Sequence, residues 1–245
     1  MSRLDVQAVL LDVGGVFLLP DVDMLRGALR PWLADVAVED LRRAHYAGIA
    51  AMDATAFAAA ASAIDEGRPI PAPDWPAYTR AMVGALGLTE EDELADAARS
   101  VGESMPGVRW TEMIPGALDA LRRLADTGVA IGIVSNSDGT VEEQLLDRRI
   151  CQIGEGEGVT VTVLLDSHLV GIEKPDPAIF HHALAEMGVA PEATLHVGDT
   201  GWADVVGARA AGVRPVHLDP YGDCPLRGDH DHVRDLDGVV ALFAG

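Results

Sequence analysis

The amino-acid sequence predicts an α/β fold in which a parallel β-sheet is flanked by helices and a helical segment is inserted near the start of the chain. Short apolar runs, typical of buried strands, alternate with helical segments in the second half of the sequence. Residues 21–111 are instead rich in Ala and poor in β-branched clusters. Repeated strand–helix units favour right-handed crossovers within one parallel sheet that has helices on both faces.

The first predicted strand is Ala8–Leu11, an apolar run followed at once by Asp12, Gly14 and Gly15. This pattern is typical of a buried parallel strand that enters a tight turn. Helices are then predicted over residues 24–32, 38–51, 56–64, 75–86 and 91–104, punctuated by prolines and by Gly87 and Gly107. We therefore expect an α/β core of residues 1–20 and 112–245, and a helical cap of residues 21–111.

From residue 115 onward the chain alternates between the two kinds of element. Helices are predicted over residues 115–127, 141–148, 175–187 and 203–211, and strands over residues 129–134, 159–165, 194–197 and 213–218. Gly128, Gly188 and Gly212 are placed to stop helices. Ligands of such sheets bind beyond the carboxyl ends of the strands, so the polar residues there are the candidates for a site.

The charge balance restricts the partners of the protein. Eighteen basic and 39 acidic residues give a formal net charge of −21, which disfavours nucleic acid and anionic membranes as partners. An anionic substrate would have to be attracted locally, by a metal ion or a lysine. The apolar runs are too short to span a bilayer, and the N-terminal residues lack the pattern of a signal peptide. Two cysteines form no disulfide framework, so we expect a cytoplasmic protein, either monomer or homodimer.

Four polar residues, Asp12, Ser135, Lys174 and Asp199, lie at or just past predicted strand ends. Each alone has an ordinary explanation as a turn former, a helix cap or a solvated loop residue. Together they predict one crevice, because the ends of parallel strands converge at one edge of the sheet.

This set of groups suits phosphoryl transfer through an aspartate. A carboxylate such as Asp12 can attack phosphorus and divide a difficult hydrolysis into two easier steps. Its repulsion from the phosphate calls for a divalent cation with oxygen ligands, for which Mg²⁺ is suited. A lysine and a hydroxyl can hold the phosphate oxygens in the transition state, and small Gly14 and Gly15 let the backbone approach closely.

The chain resembles the haloacid dehalogenase superfamily, a phosphatase-rich group with aspartate nucleophiles. The resemblance is carried by residues 9–16 (VLLDVGGV), 133–137 (IVSNS), 171–180 (GIEKPDPAIF) and 196–204 (HVGDTGWAD), and it extends over essentially the whole chain. It implies a Rossmann-like core with a helical cap inserted after the first motif. It also implies a hydrolase that acts on a small phosphorylated metabolite.

The same resemblance assigns roles to individual residues. Asp12, Ser135 and Lys174 would be catalytic, and Gly15 and Asn136 would contact the substrate. Mg²⁺ would be bound by Asp12, by the backbone carbonyl of Gly14 and by Asp199. Asp204 would act through a water molecule near the metal or would orient Lys174.

One position departs from the pattern of these phosphatases. They usually carry a second aspartate, the general acid, two residues after the nucleophile, where this chain has Gly14. General acid–base catalysis typically contributes about 10²–10⁴-fold. Three hypotheses follow. The protein is a phosphatase that favours good leaving groups, with His45 and Asp53 as conceivable proton donors; or it is a weak or inactive member that binds a phosphorylated ligand or a protein partner; or it hydrolyses carbon–halogen bonds.

The third hypothesis fits the sequence least well. The dehalogenases that the chain resembles carry a tyrosine at the position of Gly14, and the pair Asp199 and Asp204 favours a metal-dependent reaction. Two other features are not expected to carry chemistry. His230 and His232 are predicted to lie in an exposed acidic loop rather than to bind metal, and Cys151 and Cys224 lack the histidine pattern of thiol catalysis.

Overall fold

A six-stranded parallel sheet forms the centre of the protein in the computed structural model, which describes residues 6–105 and 109–243. Its strands are β1 (Ala8–Leu11), β4 (Ala130–Ser135), β7 (Val163–Asp166), β8 (Thr194–Gly198), β9 (Arg214–Leu218) and β10 (Asp231–Val233). They lie in the order β10-β9-β8-β1-β4-β7, so that β1 pairs with β4 on one side and β8 on the other. The predicted α/β fold with a Rossmann-like sheet is confirmed.

Helices cover the sheet on both faces, as its apolar strands require. These helices are α5 (Ala117–Asp126), α6 (Val141–Asp147), α7 (Ser167–Val170), α8 (Pro177–Met187), α9 (Val206–Ala210) and α10 (Leu236–Ala241). Val9 and Leu11 of β1 share one buried cluster with Leu121 of α5, whereas Leu10 shares another with Phe180 of α8. Alternate side chains of β1 therefore enter different layers of the core.

The predicted helical cap corresponds to four helices inserted between two short strands. Strands β2 (Leu18–Pro20) and β3 (Trp110–Met113) pair antiparallel, and between them lie α1 (Val22–Leu29), α2 (Val38–Asp65), α3 (Trp75–Ala85) and α4 (Glu91–Ser104). The cap has its own buried cluster, which Trp202 of the core joins. The predicted boundary after residue 20 falls at the end of β2, and the one after residue 111 falls within β3. Gly107, a predicted helix stop, lies outside the described residues.

Four predicted elements differ from the structure. The helices predicted over residues 38–51 and 56–64 form one continuous helix, α2, because the residues between them include neither Gly nor Pro. The strand predicted over residues 159–165 divides into β6 (Val159–Val161), which pairs with β5 (Cys151–Ile153), and β7. The helix predicted over residues 203–211 begins earlier, with a π-helical turn over Gly201–Val205 that leads into α9.

Helix α2 joins the cap to the core through buried polar contacts. By length and composition it is the helix of the described chain that could cross a bilayer, with a mean hydropathy of 1.5 over an 18-residue window. In the structure the Tyr46 hydroxyl donates to the backbone oxygen of Gly15 at 2.7 Å. The carboxylate of Asp53 accepts the backbone N–H groups of Gly201 and Trp202 at 2.7 and 2.9 Å. The cap is thus hydrogen-bonded to two loops at the strand ends.

Replacing Asp53 by Ala should lower the free energy of unfolding by about 2–4 kcal/mol, because two buried N–H groups would lose their acceptor. The matched control is Asp65→Ala, an exposed residue at the end of the same helix, which should change stability by less than about 0.5 kcal/mol. Urea denaturation measures both. Equal stabilities of the two variants would show that Asp53 does not fasten the cap.

Candidate active site

A cavity of about 1410 Å³ opens between the carboxyl ends of the strands and the cap. The core lines it with residues from all four predicted strand ends, namely Asp12, Ser135, Lys174 and Asp199. The cap contributes residues of α2 and α3, including His45, Met52 and Tyr78. The structure therefore brings the candidate residues to one place, between two parts of the fold.

Lys174 lies at the centre of the site, with only 1% of its surface exposed. Its ammonium nitrogen is 2.9 Å from Oδ1 of Asp12 and 2.7 Å from Oδ1 of Asp204. Asp12, Asp199 and Asp204 each place one carboxylate oxygen within 4.8 Å of the others. Asp12 is fixed at the end of β1, since its N–H donates to the oxygen of Val197 at 2.9 Å.

The carboxylates differ in their electrostatic environment. Burial raises the pKa of Asp12 to about 6, against the opposing effect of the Lys174 ammonium. Burial, together with the charge of Asp204, raises the pKa of Asp199 well above its usual value. Although burial alone would raise it too, Lys174 and His196 hold the pKa of Asp204 far below its ordinary range. The site is therefore short of positive charge around Asp12 and Asp199.

Asp204 orients Lys174 through a network that uses both of its oxygens. One oxygen contacts the Lys174 ammonium and Nε2 of His196, the latter at 2.8 Å. The other accepts the backbone N–H and the hydroxyl of Thr200 at 3.0 and 2.5 Å. Gly198 makes room for it, because a Cβ there would lie 2.1 Å from the carboxyl carbon of Asp204. Asp204 thus contacts Lys174 directly, and its role in the reaction stays a prediction.

Asn136 holds the backbone of Lys174 from the opposite side. Its amide nitrogen donates to the Lys174 oxygen at 2.9 Å, and its amide oxygen accepts the Lys174 N–H at 2.8 Å. Asn136 borders the cavity, and its contact with the substrate stays a prediction. Ser135, one residue earlier, is buried at the end of β4 and also borders the cavity.

The backbone groups of Gly15 are engaged within the fold, and its predicted contact with the substrate stays a prediction. Its N–H donates to the oxygen of Leu18 at 2.8 Å, and its own oxygen accepts the Tyr46 hydroxyl. Its φ is +64°, and a Cβ there would lie 1.9 Å from Oδ2 of Asp199. Gly15 thereby lets Asp199 approach the loop that follows Asp12.

Gly14 faces the cavity, and an aromatic ring lies against it. A Cβ at this position would lie 3.2 Å from the ring of Trp110 in β3. The indole of Trp110 therefore limits the space for a side chain at position 14. The predicted metal contact of the Gly14 carbonyl stays a prediction.

The two proton donors considered from the sequence have different environments. His45 lines the cavity, with Nε2 3.2 Å from Oδ2 of Asp199 and Nδ1 2.8 Å from the Tyr78 hydroxyl. Burial lowers the pKa of His45 to about 3, so its ring is neutral near pH 7. Burial raises the pKa of Asp53 to about 7, but both of its oxygens already accept backbone N–H groups. The Asp53 carboxylate thus serves as a hydrogen-bond acceptor that links α2 to the core, rather than as a proton donor in the reaction.

Sequence reasoning missed three residues that shape the site, Trp110, His196 and His217. His196 contacts Asp204 from within β8, and Nε2 of His217 in β9 lies 2.8 Å from the backbone oxygen of Asp199. The sequence did contain a signal for these two histidines. Each lies inside an otherwise apolar strand, a position that is buried and needs a polar partner. Trp110 gave no comparable signal, because its position depends on the pairing of β2 with β3.

The donor set fits a divalent cation. Three buried carboxylates face one buried ammonium, and full ionisation of the group would leave two negative charges uncompensated. Carboxylate and backbone oxygens are hard ligands of the kind that Mg²⁺ prefers. Since both oxygens of Asp204 are engaged, Asp12 and Asp199 are the side chains available to hold such an ion.

Comparison with known proteins places the chain in a family. Residues 6–212 match the family model described as haloacid dehalogenase-like hydrolase. The chain belongs to this family. This agrees with the fold and with the convergence of the four motifs on one cavity.

Curated relatives include phosphatases. The chain is 34% identical to a phosphoserine phosphatase of Thermus thermophilus over 146 residues, which are 59% of this chain and 56% of that protein. It is 31% identical over 146 residues to phosphoglycolate phosphatase 1 of Pseudomonas aeruginosa, covering 58% of this chain and 51% of that protein. The chain spans about half the length of the curated relatives it matches.

Solved structures with the same fold include a protein described as a HAD-hydrolase and a haloacid dehalogenase. A HAD-hydrolase from Bacillus subtilis, YfnB, described as bound to magnesium, gives a TM-score of 0.55 at 18% identity over 97% of this chain and 98% of that one. The L-2-haloacid dehalogenase RSc1362 gives a TM-score of 0.54 at 20% identity over 98% and 99%. At these identities the likeness concerns the fold alone.

Replacing Gly15 by Ala should destabilise the protein more than replacing Gly116, which has a φ of +81° and open space around its Cβ position. Both variants lose the freedom of glycine at positive φ, at about 1–2 kcal/mol each. Only Gly15→Ala also meets Asp199, whose Cβ would lie 2.8 Å away, so that rotation of the carboxylate does not relieve the overlap. Chemical denaturation of both variants gives the comparison, and equal losses would contradict the close approach.

Proposed function

We propose that the protein is a Mg²⁺-dependent phosphatase that acts on a small phosphorylated metabolite through an aspartyl-phosphate at Asp12. The observation that carries this proposal is the contact of a buried ammonium, Lys174, with the Asp12 carboxylate at 2.9 Å inside the cavity. The phosphatase relatives support the reaction class. The two cysteines without a disulfide framework support a cytoplasmic protein. The net charge of −21 supports the absence of nucleic-acid and membrane partners, and it makes local positive charge necessary for binding an anion.

The first step forms a bond between a carboxylate oxygen of Asp12 and phosphorus, and the bond from phosphorus to the leaving oxygen breaks. Lys174 and the Ser135 hydroxyl would hold the phosphate oxygens as charge moves onto them. In the second step water attacks the same phosphorus, which frees inorganic phosphate and restores the carboxylate.

Asp12, the Gly14 carbonyl and Asp199 are the groups that would hold Mg²⁺. When bound, the ion supplies positive charge that offsets the repulsion between the nucleophile and the phosphate. Asp204 keeps Lys174 pointed at Asp12, and Asn136 holds the Lys174 backbone.

The surroundings of Gly14 support a preference for good leaving groups. Trp110 lies against the position from which a general acid would extend, His45 is neutral, and Asp53 is engaged elsewhere. Esters whose leaving oxygen needs little protonation should therefore react fastest. Sugar 1-phosphates, acyl phosphates and aryl phosphates belong to this class, and simple alkyl phosphates do not.

The same feature favours a second candidate function, in which the protein binds a phosphorylated ligand or a partner with little turnover. Stabilisation by a phosphorylated ligand without release of phosphate would support it over the phosphatase. Carbon–halogen hydrolysis has weaker support, because the dehalogenases among the structural neighbours share the fold alone. The acidic cluster also suits a reaction that depends on a metal.

Replacing Asp12 by Asn should abolish release of phosphate from p-nitrophenyl phosphate, because the amide is a poor nucleophile and a poor metal ligand. Catalysis should also require Mg²⁺ and stop with a chelator. The matched control is Asp126→Asn, an exposed carboxylate of α5, which should keep full activity. Full activity of Asp12→Asn, or full activity of the wild type without a divalent metal, would contradict the proposal.

The preference for good leaving groups gives a second prediction. Adding a carboxylate with Gly14→Asp in a Trp110→Ala background should raise kcat/KM for an alkyl phosphate by about 10-fold or more over Trp110→Ala alone. An aryl phosphate should gain much less, because its leaving group needs little protonation. Gly14→Asp without the Trp110 change should gain less, since the ring lies 3.2 Å from the new Cβ. A wild type that hydrolyses both esters equally fast would contradict this explanation.

A further inference from the structure

A second cluster of metal-binding side chains lies beside the active site, around the end of β9, the connection that follows it and β10. His217, Cys224, His230 and His232 each place one ligand atom within 4.8 Å of all the others. The sequence predicted an exposed loop here, but the side chain of His230 is only 1% exposed. The three imidazole rings lie against one another, with centroids 4.4 to 5.2 Å apart. The connection that follows β9 thus folds inward and buries its histidines.

In His217 and His230, the ring nitrogen that faces away from the cluster has a hydrogen-bond acceptor. This contact determines which nitrogen carries the lone pair. Nε2 of His217 lies 2.8 Å from the backbone oxygen of Asp199, an acceptor, so this nitrogen carries the proton and Nδ1 carries the lone pair. Nδ1 of His230 faces a carboxylate oxygen of Asp229 at 3.5 Å, which favours a proton there and a lone pair on Nε2. These two lone pairs face each other at 2.9 Å. Two such lone pairs repel each other unless a proton or a metal cation lies between the two nitrogens.

The spacing of the ligand atoms suits a tetrahedral ion with nitrogen and sulfur ligands. Bonds of about 2.0–2.1 Å to nitrogen and about 2.3 Å to sulfur place neighbouring donor atoms roughly 3.3–3.6 Å apart. The distance between Nδ1 of His217 and Nε2 of His230 is 2.9 Å, and that between Sγ of Cys224 and Nε2 of His230 is 3.8 Å. Nε2 of His232 is buried without a hydrogen-bond partner in the part of the chain that the structure describes.

The hydrogen bonds around these four side chains resemble those that support the ligands of a metal ion. Metal-binding histidines usually donate their second N–H to a carboxylate or a backbone carbonyl, as His217 and His230 do here. Arg209 holds Asp229 in place at 2.9 Å. The backbone N–H of Leu226 lies 3.4 Å from Sγ of Cys224, a contact that stabilises a thiolate. The ring of Phe57, on cap helix α2, stacks over His230.

We propose that His217, Cys224, His230 and His232 bind a structural Zn²⁺ ion. Thiolate and imidazole are the ligands that zinc prefers, and four protein ligands leave no open position for a substrate. The ion would fasten the connection between β9 and β10 to the sheet. Through His217 it would also fix the backbone of Asp199. The site differs in ligand type from the all-oxygen cluster around Asp12 and does not depend on the proposed phosphatase activity.

Metal content tests the site directly. The 245-residue chain, produced with zinc available and dialysed against excess Mg²⁺, should retain about one zinc per chain. Cys224→Ser and His230→Ala should lose it. Cys151→Ser and His181→Ala are the matched controls, a buried cysteine of β5 and an exposed histidine of α8, and both should keep it. Asp12→Asn should keep the zinc too, which separates this site from the acidic cluster.

A spectroscopic measurement on the wild type serves even where a variant does not fold. After chelation, Co²⁺ should restore a thiolate charge-transfer band and the visible bands of a tetrahedral ion, and Zn²⁺ should displace them. The thermal midpoint should fall on chelation and recover with Zn²⁺ but not with Mg²⁺. A wild type that retains no metal and gives no thiolate band with Co²⁺ would overturn the proposal. Full zinc content in folded Cys224→Ser or His230→Ala would do the same.

Discussion

The buried ion pairs of Lys174 are the constraint on which the site depends. An ammonium with 1% exposure is stable only beside compensating carboxylates, and Asp12 and Asp204 supply them at 2.9 and 2.7 Å. These contacts join the end of β1 to the loops before α8 and after β8, which are far apart in sequence. The same contacts raise the pKa of Lys174 although burial opposes it, so the positive charge persists where a phosphate would bind.

Residues around Lys174 and its two carboxylates hold them in place through contacts within the fold. Asp204 is held by His196 and Thr200, Asn136 holds the backbone of Lys174, and Gly15 makes room for Asp199. The cap takes part through Asp53 and Tyr46, whose hydrogen bonds reach the loops after β8 and β1. A movement of α2 would therefore displace the loops at the strand ends. Through these hydrogen bonds the position of the cap would affect the geometry of the active site.

Much of this architecture could be predicted from the sequence, because local patterns determine it. Apolar runs such as Ala8–Leu11 identify the central strands, and the convergence of parallel strands brings Asp12, Lys174 and Asp199 together. What could not be predicted depends on contacts distant in sequence. The antiparallel pairing that places Trp110 against Gly14, the use of the Gly15 N–H within its own turn, and the inward fold of His230 all result from tertiary packing. The continuity of α2 is a different case, because the absence of Gly and Pro between the two predicted helices was a local signal that the prediction did not use.

Gly14 stands where related phosphatases usually carry the general acid. The proposed reaction therefore depends above all on the covalent step at Asp12. That step is tested most directly by quenching a reaction with a reactive aryl or acyl phosphate and Mg²⁺ in acid, followed by peptide mass spectrometry. The account predicts that the peptide containing Asp12 gains the mass of one phosphoryl group, and that hydroxylamine removes it. Turnover of the same substrate with no trapped phosphate on that peptide, or with phosphate on a different residue, would contradict it.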